Sequence, residues 1–300
     1  MNLLQNHGPS AARPRPLVIA HRGASGLAPE NTLAAFKMAV ALGADGVEMD
    51  VQLSADGKAH VIHDLRVERT TNGAGRVASL TSRQLGNLDA GGWFDRRLAV
   101  RPRVRASSAR AAALAKDCGI RFSGEPVPTL ESVLALLSAH ELSRIYIELK
   151  GAPGAGKKAL LDQVLGLVSR FRLERSVALL SFDHRIVKLA RELEPRLKTA
   201  ATFPVARRAL TTTKAILNSV EEIGASEAAL HFGLVTRRMV KVLHERGISV
   251  SAWTANNKII MRRLIYCGVD SIMTNFPHRL SAVIESPSRG VKEARRASPE

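Results

Sequence analysis

Short apolar runs alternate with amphipathic helical patterns along most of the chain, and this alternation limits the folds open to it. Two of the helical patterns are NTLAAFKMAVALG (31–43) and TRRMVKVLHERG (236–247), and each ends in a Gly, the residue that commonly closes a helix. The apolar runs are LVIAH (17–21), GVEMDV (46–51), AHVIH (59–63), RIYIELK (144–150), VALLSF (177–182), KTAATF (198–203), EAALHF (227–232), SVSAW (249–253) and VDSIMT (269–274). Strands that alternate with helices predict a parallel sheet with helices packed against it.

These runs exceed by one the number of strands in an eight-stranded barrel. The surplus run is AHVIH (59–63). Asp56 and Gly57 precede it, and an Asp-Gly pair between two apolar runs predicts a β-hairpin with a two-residue loop. AHVIH is then an antiparallel return strand. The predicted fold is an α/β, (β/α)₈ TIM barrel with a β-hairpin after strand 2, at a length ordinary for that fold.

A single barrel domain is predicted over residues 17–285. Residues 1–16 are polar and carry three prolines, so we expect a flexible N-terminal arm there. Residues 286–300 have no apolar periodicity and predict a flexible C-terminal tail. Residues 95–127, first Arg-rich and then Ala-rich, interrupt the alternation and predict a short basic insertion over the barrel.

The chain is strongly basic, with 44 Lys and Arg against 27 Asp and Glu and a net charge of +17. Such a charge favours solubility, and it also attracts phosphate esters, acidic membranes or nucleic acid. Cys118 and Cys267 form neither a metal-ligand spacing nor a disulfide framework, which favours a reducing cytoplasm. No apolar run approaches the ~20 residues of a membrane span, and residues 1–16 lack the pattern of a secretory signal.

Charged and polar residues gather at the ends of the first two predicted strands. With a two-residue hairpin loop, Asp50 lies directly opposite His63, and directly opposed residues share a face. Glu48 shares that face because strand side chains alternate with period two. His21 ends the first strand, at the end of a barrel where enzymes keep their sites. The spacing therefore predicts that these four side chains converge.

The carboxylates in this group need compensation, because an unpaired buried carboxylate is costly. Arg22 or a divalent cation could supply it. The pattern recurs where Glu148 and Lys150 share a face at another strand end. Three carboxylates from such strands suit a hard cation such as Mg²⁺ or Ca²⁺. A salt-bridged barrel interior and an acid/base pair remain alternatives at this point.

Two sequence blocks identify a family. HRGASGLAPENTLAAF (21–36) and GVEMDVQLSADGKAHVIHD (46–64) closely resemble the first two blocks of the glycerophosphodiester phosphodiesterases, which are phospholipase C-like phosphodiesterase barrels. Further blocks follow in the family's order: RTTNGAGRVASLTSRQL (69–85), PTLESVL (128–134), IELK (147–150), LLSFDH (179–184), SAWTANN (251–257) and GVDSIMTNFP (268–277). The resemblance spans most of the chain.

The resemblance implies metal-dependent hydrolysis of a glycerophosphodiester to an alcohol and glycerol 3-phosphate. Carried over by motif, the metal ligands are Glu48, Asp50 and Glu148, and the cofactor is Mg²⁺ or Ca²⁺. The catalytic histidines are His21 and His63. The residues expected to bind phosphate oxygens are Arg22 and Lys150. Phe182 and Trp253 lie at strand ends, where they either form a wall against the substrate or belong to the core.

Rival functions stay open at this stage. One is a lysophospholipase D-like activity with the same residues, and another is a catalytically idle barrel that binds anions or membranes. The expected partner is a small glycerophosphodiester, with peripheral membrane contact as an addition and no nucleic acid. Asn275 departs from the family, in which an Asp is common there, and the 95–127 segment is long and basic. We expect neither departure to touch the proposed catalytic residues.

Overall fold

The computed structural model describes residues 14–100, 121–150, 155–205 and 212–286. Within it, eight parallel strands close into a barrel, because the first pairs with both the second and the last. The barrel strands are β1 (Leu17–His21), β2 (Gly46–Leu53), β4 (Arg144–Leu149), β5 (Val177–Ser181), β6 (Lys198–Phe203), β7 (Glu227–His231), β8 (Ser249–Trp253) and β9 (Ser271–Thr274). β3 (Ala59–Val61) runs antiparallel to β2, outside the closed ring. The predicted TIM barrel with a hairpin after strand 2 is confirmed.

Helices surround the barrel and connect its strands. They are α1 (Leu33–Ala41), α4 (Leu130–Ser138), α5 (Ala155–Arg170), α6 (His184–Leu193), α7 (Thr213–Ile223), α8 (Arg237–His244), α9 (Lys258–Cys267) and α10 (Pro277–Glu285). Two further helices, α2 (Ser82–Gly86) and α3 (Gly92–Val100), lie between β3 and α4. Each barrel helix that follows a strand begins at the carboxyl end of that strand, so the helix N-termini mark the mouth where TIM barrels keep their active sites.

Alternation along each strand separates the packing core from the barrel interior. Met49 and Val51 of β2 pack outward against the helices in the main apolar cluster. The residues between them, Glu48 and Asp50, point into the barrel. Deeper inside, the barrel is filled by a small cluster of buried residues: Ile19, Tyr146, Ala178, Leu180, Ala200, Ala229 and Met273. Alternation thus leaves the polar residues of β2 above a filled floor.

The β2–β3 hairpin differs from the prediction by one residue. Val51 pairs with Val61 and Gln52 with His60, so the loop holds three residues, 55–57. Gly57 adopts a left-handed φ of +72°, which suits a three-residue hairpin loop. Ile62, not His63, is therefore opposite Asp50, and the Ile62 N–H donates to the Asp50 carbonyl at 2.9 Å. The predicted two-residue loop and its register were wrong.

The predicted insertion is described only at its two ends. Phe94 of α3 packs edge-on against Phe122, with ring centroids 5.6 Å apart, and both side chains are buried. Residues 101–120 of the insertion lie outside the described part of the chain, as do residues 1–13 of the N-terminal arm and 287–300 of the tail. None of the described helices combines the length and apolar character that crossing a membrane requires.

Candidate active site

Three buried carboxylates meet inside the mouth of the barrel. Asp50 pairs in register with Glu148 of the neighbouring strand. Glu48 lies two residues before Asp50, on the same face of β2 and deeper in the barrel. Each offers an oxygen, and these atoms all lie within 4.8 Å of one another. The convergence of the carboxylates follows directly from strand alternation and the β2–β4 register.

Two cations flank the carboxylates without saturating them. Lys150 Nζ lies 3.2 Å from Asp50 Oδ1 and 2.6 Å from Glu148 Oε1, and Arg22 Nε lies 3.1 Å from Asp50 Oδ2. Even so, Asp50 Oδ1 and Glu148 Oε1 accept no hydrogen bond of normal angle and are shielded from solvent. Buried carboxylate oxygens without a well-angled hydrogen bond retain coordination capacity, so the donor set fits a further cation.

The electrostatics of the carboxylates agree with that fit. Burial, together with the charge of Asp50, raises the pKa of Glu148 to about 7 and raises that of Glu48 well above its usual range. Burial also opposes ionisation of Asp50, but Arg22 and Lys150 outweigh it and hold the pKa of that carboxyl low. Like charges crowd this site, and a hard divalent cation bound to three oxygens would relieve the crowding.

His21 reaches the same cavity from the end of β1. Its Nδ1 atom lies 2.8 Å from Asn275 Oδ1, and its Nε2 atom lies 3.8 Å from Glu48 Oε2 and 3.5 Å from Thr254 Oγ1. The amide oxygen of Asn275 selects the tautomer with a proton on Nδ1, which leaves an unprotonated Nε2 beside the Thr254 hydroxyl. Burial, together with Arg22, lowers the pKa of His21 to about 4. The expectation that Asn275 does not touch the catalytic residues was wrong.

The turn after His21 places the next residue against the carboxylates. Arg22 adopts a left-handed φ of 55°, which is uncommon for a side-chain-bearing residue, and its N–H donates to Glu48 Oε2 at 3.0 Å. Gly23 follows with a φ of +74°, and a Cβ at this position would lie 2.6 Å from the Ala35 backbone. The tight approach of this turn to α1 therefore needs Gly23, and it aims Arg22 into the site.

His63 enters the site from a loop and not from a strand. Its Nδ1 atom lies 2.6 Å from Asp64 Oδ1, which leaves Nε2 as the free ring nitrogen. Burial lowers the pKa of His63, and the charge of Asp50 opposes this effect. The side-chain amide of Gln52 contacts the carbonyls of Ile62, His63 and Asp64 at 2.9, 3.0 and 2.7 Å. Gln52 holds the loop where strand pairing has ended.

The sequence motifs do not point to these supporting residues. Gln52 could have been found, because it shares the inward face of β2 with Glu48 and Asp50. Arg69 is a second supporting residue, and it forms ion pairs with Glu30 at 2.8 Å and with Asp64 at 2.5 Å. No short-range sequence pattern predicts these contacts. Glu30 also accepts a hydrogen bond of 2.8 Å from Arg22. An ionic chain thus connects the turn after β1 with the loop that carries His63.

Aromatic side chains form one wall of the cavity. Phe182 and Trp253 pack edge to face, with ring centroids 5.5 Å apart, and the Trp253 indole donates to the Ala229 carbonyl at 3.0 Å. Phe182 is 44% exposed at the mouth, and Lys150 Nζ lies 5.6 Å from the centre of its ring. The cavity is lined by His21, Arg22, Glu48, His63, Glu148, Lys150, Leu180, Phe182, Thr202, Ala229, Trp253, Thr254 and Met273. Charged groups therefore face an apolar wall across one small cavity.

Known proteins resemble this chain in sequence and fold. The model of the glycerophosphoryl diester phosphodiesterase family matches residues 21–279. Bacillus subtilis YhdW is 36% identical over 265 residues, covering 87% of this chain and 94% of that protein. The glycerophosphodiester phosphodiesterase of Caldanaerobacter subterraneus is 33% identical, covering 88% of this chain and 96% of that protein. The crystal structure of the Agrobacterium tumefaciens glycerophosphodiester phosphodiesterase is 28% identical and superposes with a TM-score of 0.70, covering 89% of this chain and 99% of that one.

The barrel and its acidic, cation-flanked mouth are those of a phosphoric diester hydrolase. Within that class, the chain belongs to the glycerophosphodiester phosphodiesterase family, as the match over residues 21–279 shows. A small glycerophosphodiester is accordingly its class of substrate.

Proposed function

We propose that the chain hydrolyses glycerophosphodiesters with a divalent cation, Mg²⁺ or Ca²⁺, held by Glu48, Asp50 and Glu148. The observation that carries this proposal is the convergence of three buried carboxylates beside a cavity that two imidazoles line. Asp50 Oδ1 and Glu148 Oε1 lie near Lys150 but accept no hydrogen bond of normal angle. They support the cation, because hard oxygen donors are the ligands that Mg²⁺ and Ca²⁺ prefer. The products are an alcohol and glycerol 3-phosphate.

The chain's own residues divide the work on an anionic phosphodiester. Arg22 and Lys150 are proposed to bind the non-ester oxygens and hold the ester in place. The bound cation supplies neutralisation of the charge that develops on those oxygens. His21 and His63 are proposed to move protons, one from the nucleophile and the other to the departing alcohol. By family resemblance, the nucleophile is the substrate's own 2-hydroxyl, and water then opens the cyclic product.

The aromatic wall is proposed to bind the carbon skeleton of the substrate. Trp253 is anchored by its hydrogen bond to the Ala229 carbonyl, so its ring presents a fixed apolar face. Phe182 stands beside it at the mouth. A glycerophosphodiester is a phospholipid without acyl chains, so we place the reaction in glycerol and lipid metabolism, in the cytoplasm.

The rival functions differ in what they need from this site. A lysophospholipase D-like activity would use the same charged residues, but it requires room for an acyl chain beside the wall. An idle anion-binding barrel would not need both histidines with free Nε2 atoms. The family's proposed catalytic residues are all present here, which favours the hydrolase.

A substrate panel tests the proposal. Glycerophosphocholine, glycerophosphoethanolamine, glycerophosphoglycerol and two lysophospholipids would each be assayed with chelator and with added Mg²⁺ or Ca²⁺, and glycerol 3-phosphate would be measured. We expect metal-dependent release from the glycerophosphodiesters and much slower release from the lysophospholipids. Faster turnover of the lysophospholipids than of the glycerophosphodiesters would favour the lysophospholipase D-like activity. If no substrate yields glycerol 3-phosphate with either metal, the catalytically idle anion-binding barrel is the function that remains.

A further inference from the structure

Exposed cations occupy the mouth end of three consecutive helices. Lys214, Arg238 and Lys258 lie in the first turns of α7, α8 and α9, and none of these first turns contains an acidic residue. All three residues are exposed. The helix dipole makes an N-terminus positive and favours acidic residues there, so this placement weakens the helices locally. Exposed cations at positive helix N-termini favour the binding of an external anion.

Acidic residues of the same region lie at the opposite end of the barrel. Between residues 184 and 286 of the described chain, every Asp and Glu lies at a strand start or within or next to the last turn of a helix. They are Glu192, Glu194, Glu221, Glu222, Glu227, Glu245, Asp270 and Glu285. The mouth end of this half therefore presents positive charge without acidic residues from the described part of the region.

Two large aliphatic side chains are exposed among these cations. Ile259 is 74% exposed in the first turn of α9, and Val205 is 45% exposed just after β6. Isolated exposed aliphatic residues are ordinary on a protein surface, but here they stand beside cations at the mouth. We call Val205, Lys214, Arg238, Lys258 and Ile259 the rim surface.

We propose that the rim surface docks on an anionic lipid bilayer, with the mouth of the barrel facing the headgroups. Basic residues that surround aliphatic ones match such a bilayer, because the cations attract its negative surface and the aliphatic side chains enter the headgroup region. Nucleic acid is a poorer match, because single-strand binding uses exposed aromatic rings and the rim surface presents aliphatic ones. Docking brings the catalytic cavity to diesters at or near the membrane.

The test is co-sedimentation of the full chain with vesicles. The vesicles would be phosphatidylcholine alone or phosphatidylcholine with 30% phosphatidylglycerol, at low and high salt. We expect binding to the anionic vesicles only, weakened by salt. The double variants Lys214→Glu/Lys258→Glu and Val205→Ser/Ile259→Ser should each reduce binding by about 10-fold or more. The Ser pair leaves net charge unchanged, so its effect isolates the aliphatic contribution.

Matched controls come from the rest of the surface. Leu193→Ser removes an aliphatic side chain that is 48% exposed at the opposite end of the barrel, and Lys188→Glu reverses an exposed cation of α6 away from the rim surface. Both should bind like the unaltered chain. Turnover of soluble glycerophosphocholine should be unchanged in every variant, which separates docking from catalysis.

Three results would overturn the proposal. The first is no binding to anionic vesicles, and the second is equal loss in both control variants, which would show that binding does not depend on the rim surface. The third is tight retention of a DNA duplex or single strand by a chain that ignores vesicles, which would assign the charge to nucleic acid.

Discussion

The side-chain amide of Gln52 donates a hydrogen bond of 3.0 Å to the backbone carbonyl of His63. The same nitrogen contacts the flanking carbonyls of Ile62 and Asp64. β3 ends at Val61, so strand pairing with β2 does not fix the position of His63. A buried amide on the inward face of β2 takes over that task, and it connects the strand of the carboxylates with the loop of the histidine.

Gln52→Leu should lower kcat by ~10- to 100-fold with little change in KM, because a small misplacement of a catalytic group is costly in rate. Gln52→Glu should behave similarly, since an ionised carboxylate cannot donate to the three carbonyls. Gln163→Leu is the matched control. Gln163 also contacts the hairpin, accepting from the Ala59 N–H at 3.0 Å, but it does not reach His63. Equal losses in the Gln52 and Gln163 variants would show a general effect on the hairpin.

Removing a proposed metal ligand should weaken metal binding and lower turnover together. Glu48→Gln, Asp50→Asn and Glu148→Gln each replace a hard anionic donor, and we expect losses of ~10²-fold or more in kcat/KM. Calorimetry with Mg²⁺ and Ca²⁺ would measure the affinity directly. Glu227→Gln changes another buried carboxylate at the far end of the barrel and should bind metal normally. Full activity of the three ligand variants in chelator would refute the metal site.

His21→Ala and His63→Ala should each lower kcat by on the order of 10²-fold or more. The double variant should lose much less than the product of the two single losses, because the effects of residues proposed to act as a unit are not additive. A nitrophenyl diester has a good leaving group that departs without a proton donor. The variant that lacks the general acid should therefore regain much of its rate on this substrate, and the variant that lacks the general base should not. His244 lies at the C-terminal end of α8, away from the mouth of the barrel, and His244→Ala should leave kcat unchanged. Near-normal activity in both single variants would exclude the histidine mechanism.

Trp253→Ala should raise KM by ~10-fold with a smaller effect on kcat, because the proposed apolar wall is expected to contribute about 1–3 kcal/mol to binding of the carbon skeleton. Trp253→Phe keeps an aromatic face and should recover most of the affinity. Initial rates on glycerophosphocholine measure both parameters. An unchanged KM in Trp253→Ala would place the residue in the core and not in the substrate wall.

Glu227 should make folding stability depend on pH. Burial raises the pKa of its carboxyl above the ordinary value of 4.5, although Tyr146 donates to Oε1 at 2.7 Å and Arg144 is nearby. Between the ordinary and the raised pKa, the folded chain binds more protons than the unfolded chain, so the free energy of unfolding falls as pH rises through that window.

Urea unfolding over a pH series would measure this dependence. Glu227→Gln cannot titrate, so its stability should vary less with pH than that of the unaltered chain above pH 4.5. Glu131→Gln, which alters an exposed carboxylate on α4, should keep the original slope. Identical slopes for the Glu227→Gln variant and the unaltered chain would show that Glu227 is not the group responsible.

The amino-acid sequence by itself determined the order of the strands and the faces of their side chains. Strand alternation has a period of two and is local, so Glu48 and Asp50 had to share a face once β2 formed. The pairing of β2 with β4 then brought Glu148 beside Asp50, because neighbouring parallel strands pair in register. The placement of the three carboxylates was therefore predictable from patterns a few residues long.

The tertiary structure alone decided how the two histidines are held. Asn275 lies 254 positions from His21 in the chain, and the contact between them arises only when β9 closes the barrel against β1. The hairpin register depended on whether Ala55 joined the turn, which the Asp-Gly pair could not settle. Loop geometry is set by contacts from distant residues, as with Gln52 and His63, and no short-range pattern records such contacts.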